Sequence, residues 1–85
     1  MGVNFEYHLV KAIVNLAIFL EFTNDELLDR DSAINAMESL AAEMQMISKD
    51  DRDKLTQHII VIADSYEDSK IKQFIIGLPD SLGLQ

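Results

Sequence analysis

Acidic side chains are concentrated in one short stretch of the chain, EFTNDELLDRDS at residues 21–32. The stretch has one base, Arg30, and five carboxylates: Glu21, Asp25, Glu26, Asp29 and Asp31. Carboxylates gathered in this way can bind a metal ion, act as an acid–base pair, cap a helix or attract a basic partner. Their spacing and surroundings decide which of these roles is open to them.

The spacing of the acids does not fit a metal site. A calcium loop of the EF-hand type needs oxygen ligands at its first, third, fifth and twelfth positions. Counting from Asp29 places Ala33 fifth and Leu40 twelfth, and counting from Asp25 places Leu27 third. A di-iron bundle needs Glu-x-x-His pairs, and neither histidine of the chain follows a Glu by three positions. We therefore expect no metal and no cofactor.

The residues also give little support for catalysis. A carboxylic acid that works as a general acid is held in a desolvated pocket, whereas this stretch is polar throughout. His8 lies on the polar strip of the first helical segment, and His58 borders the apolar stripe of the third. Both positions are more typical of partly exposed structural histidines than of catalysts. The sequence predicts no enzymatic activity.

Ser81 raises a further possibility, because PDSLGL at residues 79–84 contains the Asp-Ser-Leu triplet that carries phosphopantetheine in acyl carrier proteins. In that family the triplet opens the second helix near the middle of the chain. Here only three residues follow Leu82. The pattern instead favours a turn after Pro79.

Composition narrows the class of protein. The 85 residues suffice for one domain, residues 1–85, and the absence of cysteine excludes disulfides and thiolate metal sites. A net charge of −8 disfavours binding to nucleic acid. The apolar run at residues 9–20 contains Lys11 and Asn15 and is too short to span a membrane, and no basic segment typical of a secretory signal precedes it. We expect a cytoplasmic protein that does not bind membranes.

Apolar periodicity predicts an all-α fold, a compact bundle of about four helices. The helices are expected from about Asn4 to Phe22, from Asp29 or Asp31 to near Ile47, from Ser48 through Tyr66, and from Asp68 or Ser69 to Ile76, where Gly77 caps the last one and Pro79 stops it. The run IIVIA at 59–63 is compatible with a strand, but no second strand is available to pair with it. The expected core comprises Leu9, Ile13, Leu16, Leu20, Met37, Leu40, Met44, Leu55, Ile59, Ile62 and Phe74.

Helix capping explains only part of the acidity. Thr23-x-x-Glu26 matches a capping box, and Asp29 or Asp31 can cap the second helix. Ser48 of SKDD matches the S-x-x-D capping pattern at the start of the third helix. Residues 21–47 nevertheless carry seven acids and one base. At helical spacing, the outer side of the second helix is expected to present Asp31, Asn35, Glu38, Ala42 and Gln45, with Met46 beside them. Such a face either is simply solvated or binds a basic partner that also makes apolar contacts.

The layout of the chain resembles the small, acidic, all-helical immunity proteins of bacterial contact-dependent growth inhibition and related polymorphic toxin systems. The resemblance rests on FLEF, NDELLDRDSAINAMESLAAEMQMIS, KDDRDKL and FIIGLPDSLGL taken in that order. It implies a cytoplasmic protein that neutralises a cognate toxin, often a nuclease, by covering its active site or substrate groove. The partner-binding residues would then be Asp25, Glu26, Asp29, Asp31, Asn35, Glu38, Ala42 and Met46.

Two other classes of function remain compatible with the same residues. A nucleic-acid mimic would use the carboxylates in place of phosphates, over a longer surface. A regulatory or adaptor domain would dimerise or dock through the methionine-rich second helix.

Overall fold

Four α-helices build the fold in the computed structural model, which describes residues 2–84. They are α1 (Gly2–Phe22), α2 (Arg30–Met44), α3 (Lys49–Asp64) and α4 (Ser69–Ser81). No strand occurs within residues 2–84, and residues 57–63 lie in α3. The predicted all-α bundle of four helices is confirmed.

The core is formed where α3 and α4 pack against each other and α1 crosses both of them. Leu55, Ile59 and Ile62 of α3 are buried, as the sequence predicts. The tail returns to the same core, with Leu82 and Leu84 fully buried after α4. Six further predicted core residues are half-buried: Ile13, Leu20, Met37, Leu40, Met44 and Phe74.

The expected core face of α1 is wrong at two positions. Leu9 and Leu16 are 52% and 50% exposed, and the buried positions are instead Val10, Val14 and Ala17. Apolar residues occupy most of the circumference of α1, so periodicity alone does not define which side faces inward. We infer that the short side chains of the buried face let α1 approach α3 and α4 closely, since bulk at the contact sets the distance between helices.

The expected end of α4 is also wrong, because the helix continues through Gly77 and Pro79 to Ser81. A proline inside a helix normally removes one backbone hydrogen bond and disturbs the preceding turn. Here Pro79 lies in the last turn and is buried beside Leu78. Burial of Leu78 and Pro79 in the core offsets the lost hydrogen bond. The helix therefore ends at Ser81, two residues after Pro79, rather than at Ile76.

The remaining boundaries differ from expectation by a few residues. The helix α1 begins at Gly2 rather than near Asn4, and α2 ends at Met44 rather than near Ile47. The third helix starts after its predicted cap, Ser48, whose side chain accepts a hydrogen bond from the Asp51 amide. It ends at Asp64, before Tyr66.

The described part of the chain contains no helix that combines the length and apolarity needed to cross a membrane.

Candidate partner-binding surface

The connection between α1 and α2 is a tight turn organised by one side chain, Asn24. Its Oδ1 accepts hydrogen bonds from the amides of Glu26 (3.0 Å) and Leu27 (3.2 Å). The predicted capping box of Thr23 and Glu26 is therefore replaced by an Asx-type turn, in which asparagine takes the place of the threonine hydroxyl. Asp25 and Glu26 are left exposed at this corner of the molecule.

Asp29 is the N-cap of α2, as one of the two sequence alternatives predicts. Its Oδ2 accepts hydrogen bonds from the backbone amide of Ser32 at 3.0 Å and from the Ser32 hydroxyl at 3.2 Å. Asp31 lies in the first turn, where a carboxylate interacts favourably with the helix dipole. Capping thus accounts for Asp29 and in part for Asp31, and it does not involve Asp25.

All the residues expected to bind a partner are exposed: Asp25, Glu26, Asp29, Asp31, Asn35, Glu38, Ala42 and Met46. Met46 is 82% exposed, the largest value among the large apolar side chains of residues 6–84. Gln45 is also exposed, and its Nε2 donates to the backbone oxygen of Leu82 at 3.4 Å. That contact ties the end of α2 to the turn that follows α4.

The exposed residues at 25–31 and on the outer side of α2 form an acidic surface. Its acids have no ion-pair partner within the described chain. Its two ion pairs lie elsewhere, Lys49–Asp53 at 3.2 Å and His58–Glu6 at 3.7 Å, the second requiring a protonated histidine. Arg30 is the one base within residues 21–47, and it forms an ion pair with none of the seven acids there. The surface therefore keeps its negative charge uncompensated.

An apolar groove of about 300 Å³ adjoins the acidic surface between α1, α2 and α4. The predicted core residues of α2, Met37, Leu40 and Met44, are only half-buried; Ala33 is the one buried residue of this helix, and Ile34 is 47% exposed. The reason is that α2 packs mainly against α1 and leaves a gap beside α4. The residues that line the groove are Leu20, Glu21, Arg30, Ala33, Ile34, Met37, Glu38, Ala41, Phe74 and Ser81.

The groove is not evident from the sequence, because its apolar residues follow the same helical spacing as residues of a core. The one available signal is the placement of acids, since Glu21 and Glu38 share the groove with Ile34 and Met37. A groove with apolar walls and carboxylates at its rim is suited to an apolar side chain that is carried by a basic partner.

The other residues considered for chemistry are dispersed. His8 is exposed and lies edge-on to Tyr7, with ring centroids 5.4 Å apart, and His58 lies beside Glu6. Ser81 lies in the last turn of α4 rather than in a turn after Pro79, and it borders the groove. Within residues 2–84, no group of three or more His, Cys, Asp or Glu side chains is placed to hold a metal ion.

Comparison of the chain with protein-family models, with curated proteins and with solved structures found no match.

Proposed function

We propose that the chain is an immunity protein that binds and neutralises a cognate bacterial toxin, a nuclease, through the acidic surface formed by residues 25–31 and the outer side of α2. The observation that carries the proposal is the set of exposed carboxylates without ion-pair partners beside an apolar groove. The resemblance of the chain's layout to small, acidic, all-helical immunity proteins supports the same assignment.

Electrostatic complementarity supplies the mechanism. A nuclease presents basic side chains where it binds phosphates, and an acidic inhibitor competes for them. The charge of residues 21–47, seven acids against one base, attracts such a surface over several ångströms and accelerates association. The groove then takes an apolar side chain of the toxin, and this contact slows dissociation.

Charge reversal tests the proposal. The first step is a search for a toxic nuclease domain encoded immediately upstream of the gene. The chain is then co-expressed with that domain in a bacterial host, and survival is measured. In one variant Asp25, Glu26, Asp31 and Glu38 are all changed to Lys. We expect this variant to fold, because exposed substitutions usually change stability little, and to lose protection.

A matched control reverses four exposed acids outside this surface, Asp53, Asp64, Glu67 and Asp80. Each reversal adds two positive charges, so four of them bring the formal net charge of either variant from −8 to zero. We expect the control to protect cells. Equal protection by both variants would show that the binding surface lies elsewhere, and equal loss would show that only net charge matters.

Association kinetics give a second readout. The variant at the acidic surface should bind the purified toxic domain more slowly than the control does, and the difference should shrink as salt screens the charges. A difference that does not depend on salt would contradict electrostatic steering.

A further inference from the structure

The first helix carries a second exposed apolar feature, a stripe along the side that faces away from the core. Leu9, Leu16 and Phe19 are 52%, 50% and 51% exposed, and Ala12 between them is also exposed. Large apolar side chains scattered singly on a surface are ordinary, but a continuous row of them is not.

The spacing of the stripe is that of a coiled-coil seam. Leu9, Ala12, Leu16 and Phe19 follow one another at steps of three, four and three residues, which is the a/d pattern of two heptads. Residues on the opposite side of α1, among them Val10, Val14 and Ala17, are already used by the core of the chain. The stripe is therefore a seam without a partner helix in the monomer.

The stripe is complementary to itself in an antiparallel alignment centred on Val14. Leu9 of one copy then lies opposite Phe19 of a second copy, and Ala12 lies opposite Leu16. Each contact occurs twice by symmetry, and the small side chain of Ala12 leaves room for the leucine. Such a self-complementary patch is what a two-fold symmetric interface requires.

We propose that the chain forms a homodimer through this stripe, with the two α1 helices antiparallel. The proposal is independent of the acidic surface and of the toxin.

The distribution of charge selects a second copy as the occupant. Residues 7–20 contain no acid and one base, Lys11, although the chain as a whole has a net charge of −8. Within residues 7–20 a basic partner finds no carboxylate, and acids approach the stripe only at its ends, where Glu6 and Asp51 share a pocket with Leu9 and Glu21 follows Leu20. An anionic membrane repels a chain of this charge.

In the antiparallel pair, Glu6 of one copy lies level with Phe22 of the other, one residue from its Glu21. Like charges therefore approach each other at both ends of the seam, and their repulsion falls as salt is added.

The polar edge of the stripe is fixed by a contact within the chain. The hydroxyl of Tyr66 donates a hydrogen bond to Oδ1 of Asn15 at 2.9 Å. This holds Asn15 beside the seam, at a position that lies opposite Ile13 of the second copy in the same alignment.

The seam is small. Three half-exposed large side chains cover much less than the roughly 800 Å² per partner that a standard interface buries. A dimer of this size is weak, with a dissociation constant between about 10 µM and about 1 mM. Screening of the like charges should strengthen it, whereas association with a basic toxin should weaken as salt is added.

Sedimentation equilibrium of the full chain tests the proposal, over concentrations from about 10 µM to about 1 mM. The wild type should shift from monomer to dimer over this range, and more completely at higher salt. Leu16→Glu should weaken the dimer at least tenfold, because it places a carboxylate in the seam of each copy. Val61→Glu is the matched control, since Val61 is exposed on α3 at 60% and lies outside the stripe. A wild type that stays monomeric throughout, or equal weakening by both variants, would overturn the proposal.

Cross-linking tests the orientation without relying on Leu16→Glu to fold. The chain contains no cysteine, so Leu9→Cys and Phe19→Cys each introduce a single thiol. In the antiparallel alignment these two positions lie opposite each other, whereas like positions lie about 15 Å apart along the helices at 1.5 Å per residue. With a short bismaleimide, a mixture of the two variants should therefore cross-link much more than either variant alone. Cross-linking of each variant alone that equals or exceeds that of the mixture would indicate parallel helices and would refute the antiparallel dimer.

Discussion

At the scale of single residues, the same residue type has very different surroundings at positions that look alike in the sequence. Leu16 and Leu78 both lie within helical apolar patterns, yet Leu16 is 50% exposed and Leu78 is fully buried. The difference follows from which side of each helix meets the core, and this depends on the positions of the other helices.

We expect Leu78→Ala to lower the free energy of unfolding by about 2–5 kcal/mol, because a fully buried leucine leaves a cavity when it is truncated. Leu16→Ala should cost less than about half as much, since half of its surface stays in water in the monomer. Urea denaturation at low protein concentration, where the chain is monomeric, measures both values. Equal costs for the two variants would mean that Leu16 belongs to the core after all.

At the scale of elements, the end of α4 depends on Gly83 rather than on Gly77. Gly83 has a positive φ of 69°, and its amide donates to the Asp80 carbonyl at 3.1 Å, while the Leu84 amide donates to the Pro79 carbonyl at 2.9 Å. This pair of hydrogen bonds is a Schellman motif, with glycine at the left-handed position. Leu84 is buried by the same turn, which is how the tail comes to close the core.

Two alanine substitutions should therefore act in opposite directions. Gly83→Ala should destabilise the chain by about 1–2 kcal/mol, because alanine is strained at positive φ. Its Cβ would also lie 2.6 Å from Nε2 of Gln45 and disturb the contact with Leu82. Gly77→Ala should stabilise it by about 0.5–1 kcal/mol, since Gly77 is helical and no atom outside its own helix lies within 4 Å of an added Cβ. Thermal melts of both variants give the comparison, and stabilisation by Gly83→Ala would contradict the motif.

At the scale of the whole molecule, charge opposes compactness. The net charge of −8 is spread over 85 residues, and the described chain contains two ion pairs, of which Lys49–Asp53 is strongly exposed and worth little. Repulsion among the carboxylates therefore outweighs the attraction between opposite charges, and screening by salt should stabilise the folded chain.

Adding sodium chloride from about 10 mM to about 500 mM should raise the Tm by several degrees, because the Debye length falls from about 30 Å to less than 10 Å. Calorimetry at fixed pH measures the shift. The control variant with Asp53, Asp64, Glu67 and Asp80 changed to Lys has no formal net charge, so its Tm should respond much less. A similar response in both proteins would mean that salt acts through hydrophobic burial rather than through repulsion.

The sequence by itself determined the helical class, the cap at Ser48, the choice of Asp29 or Asp31 as the cap of α2, and the exposure of the acidic corner. These features follow from local rules, namely apolar periodicity and side chains that reach backbone amides two or three residues away. Only the tertiary structure decided which side of α1 is buried, where α4 ends, and that a groove lies open beside α2. Each of these depends on which helices meet, because burial of Pro79 offsets a local breaker and the gap between α2 and α4 exposes Ile34. The physical reason is that contacts between distant segments fix the position of a helix, while its own sequence fixes little more than its existence and its caps.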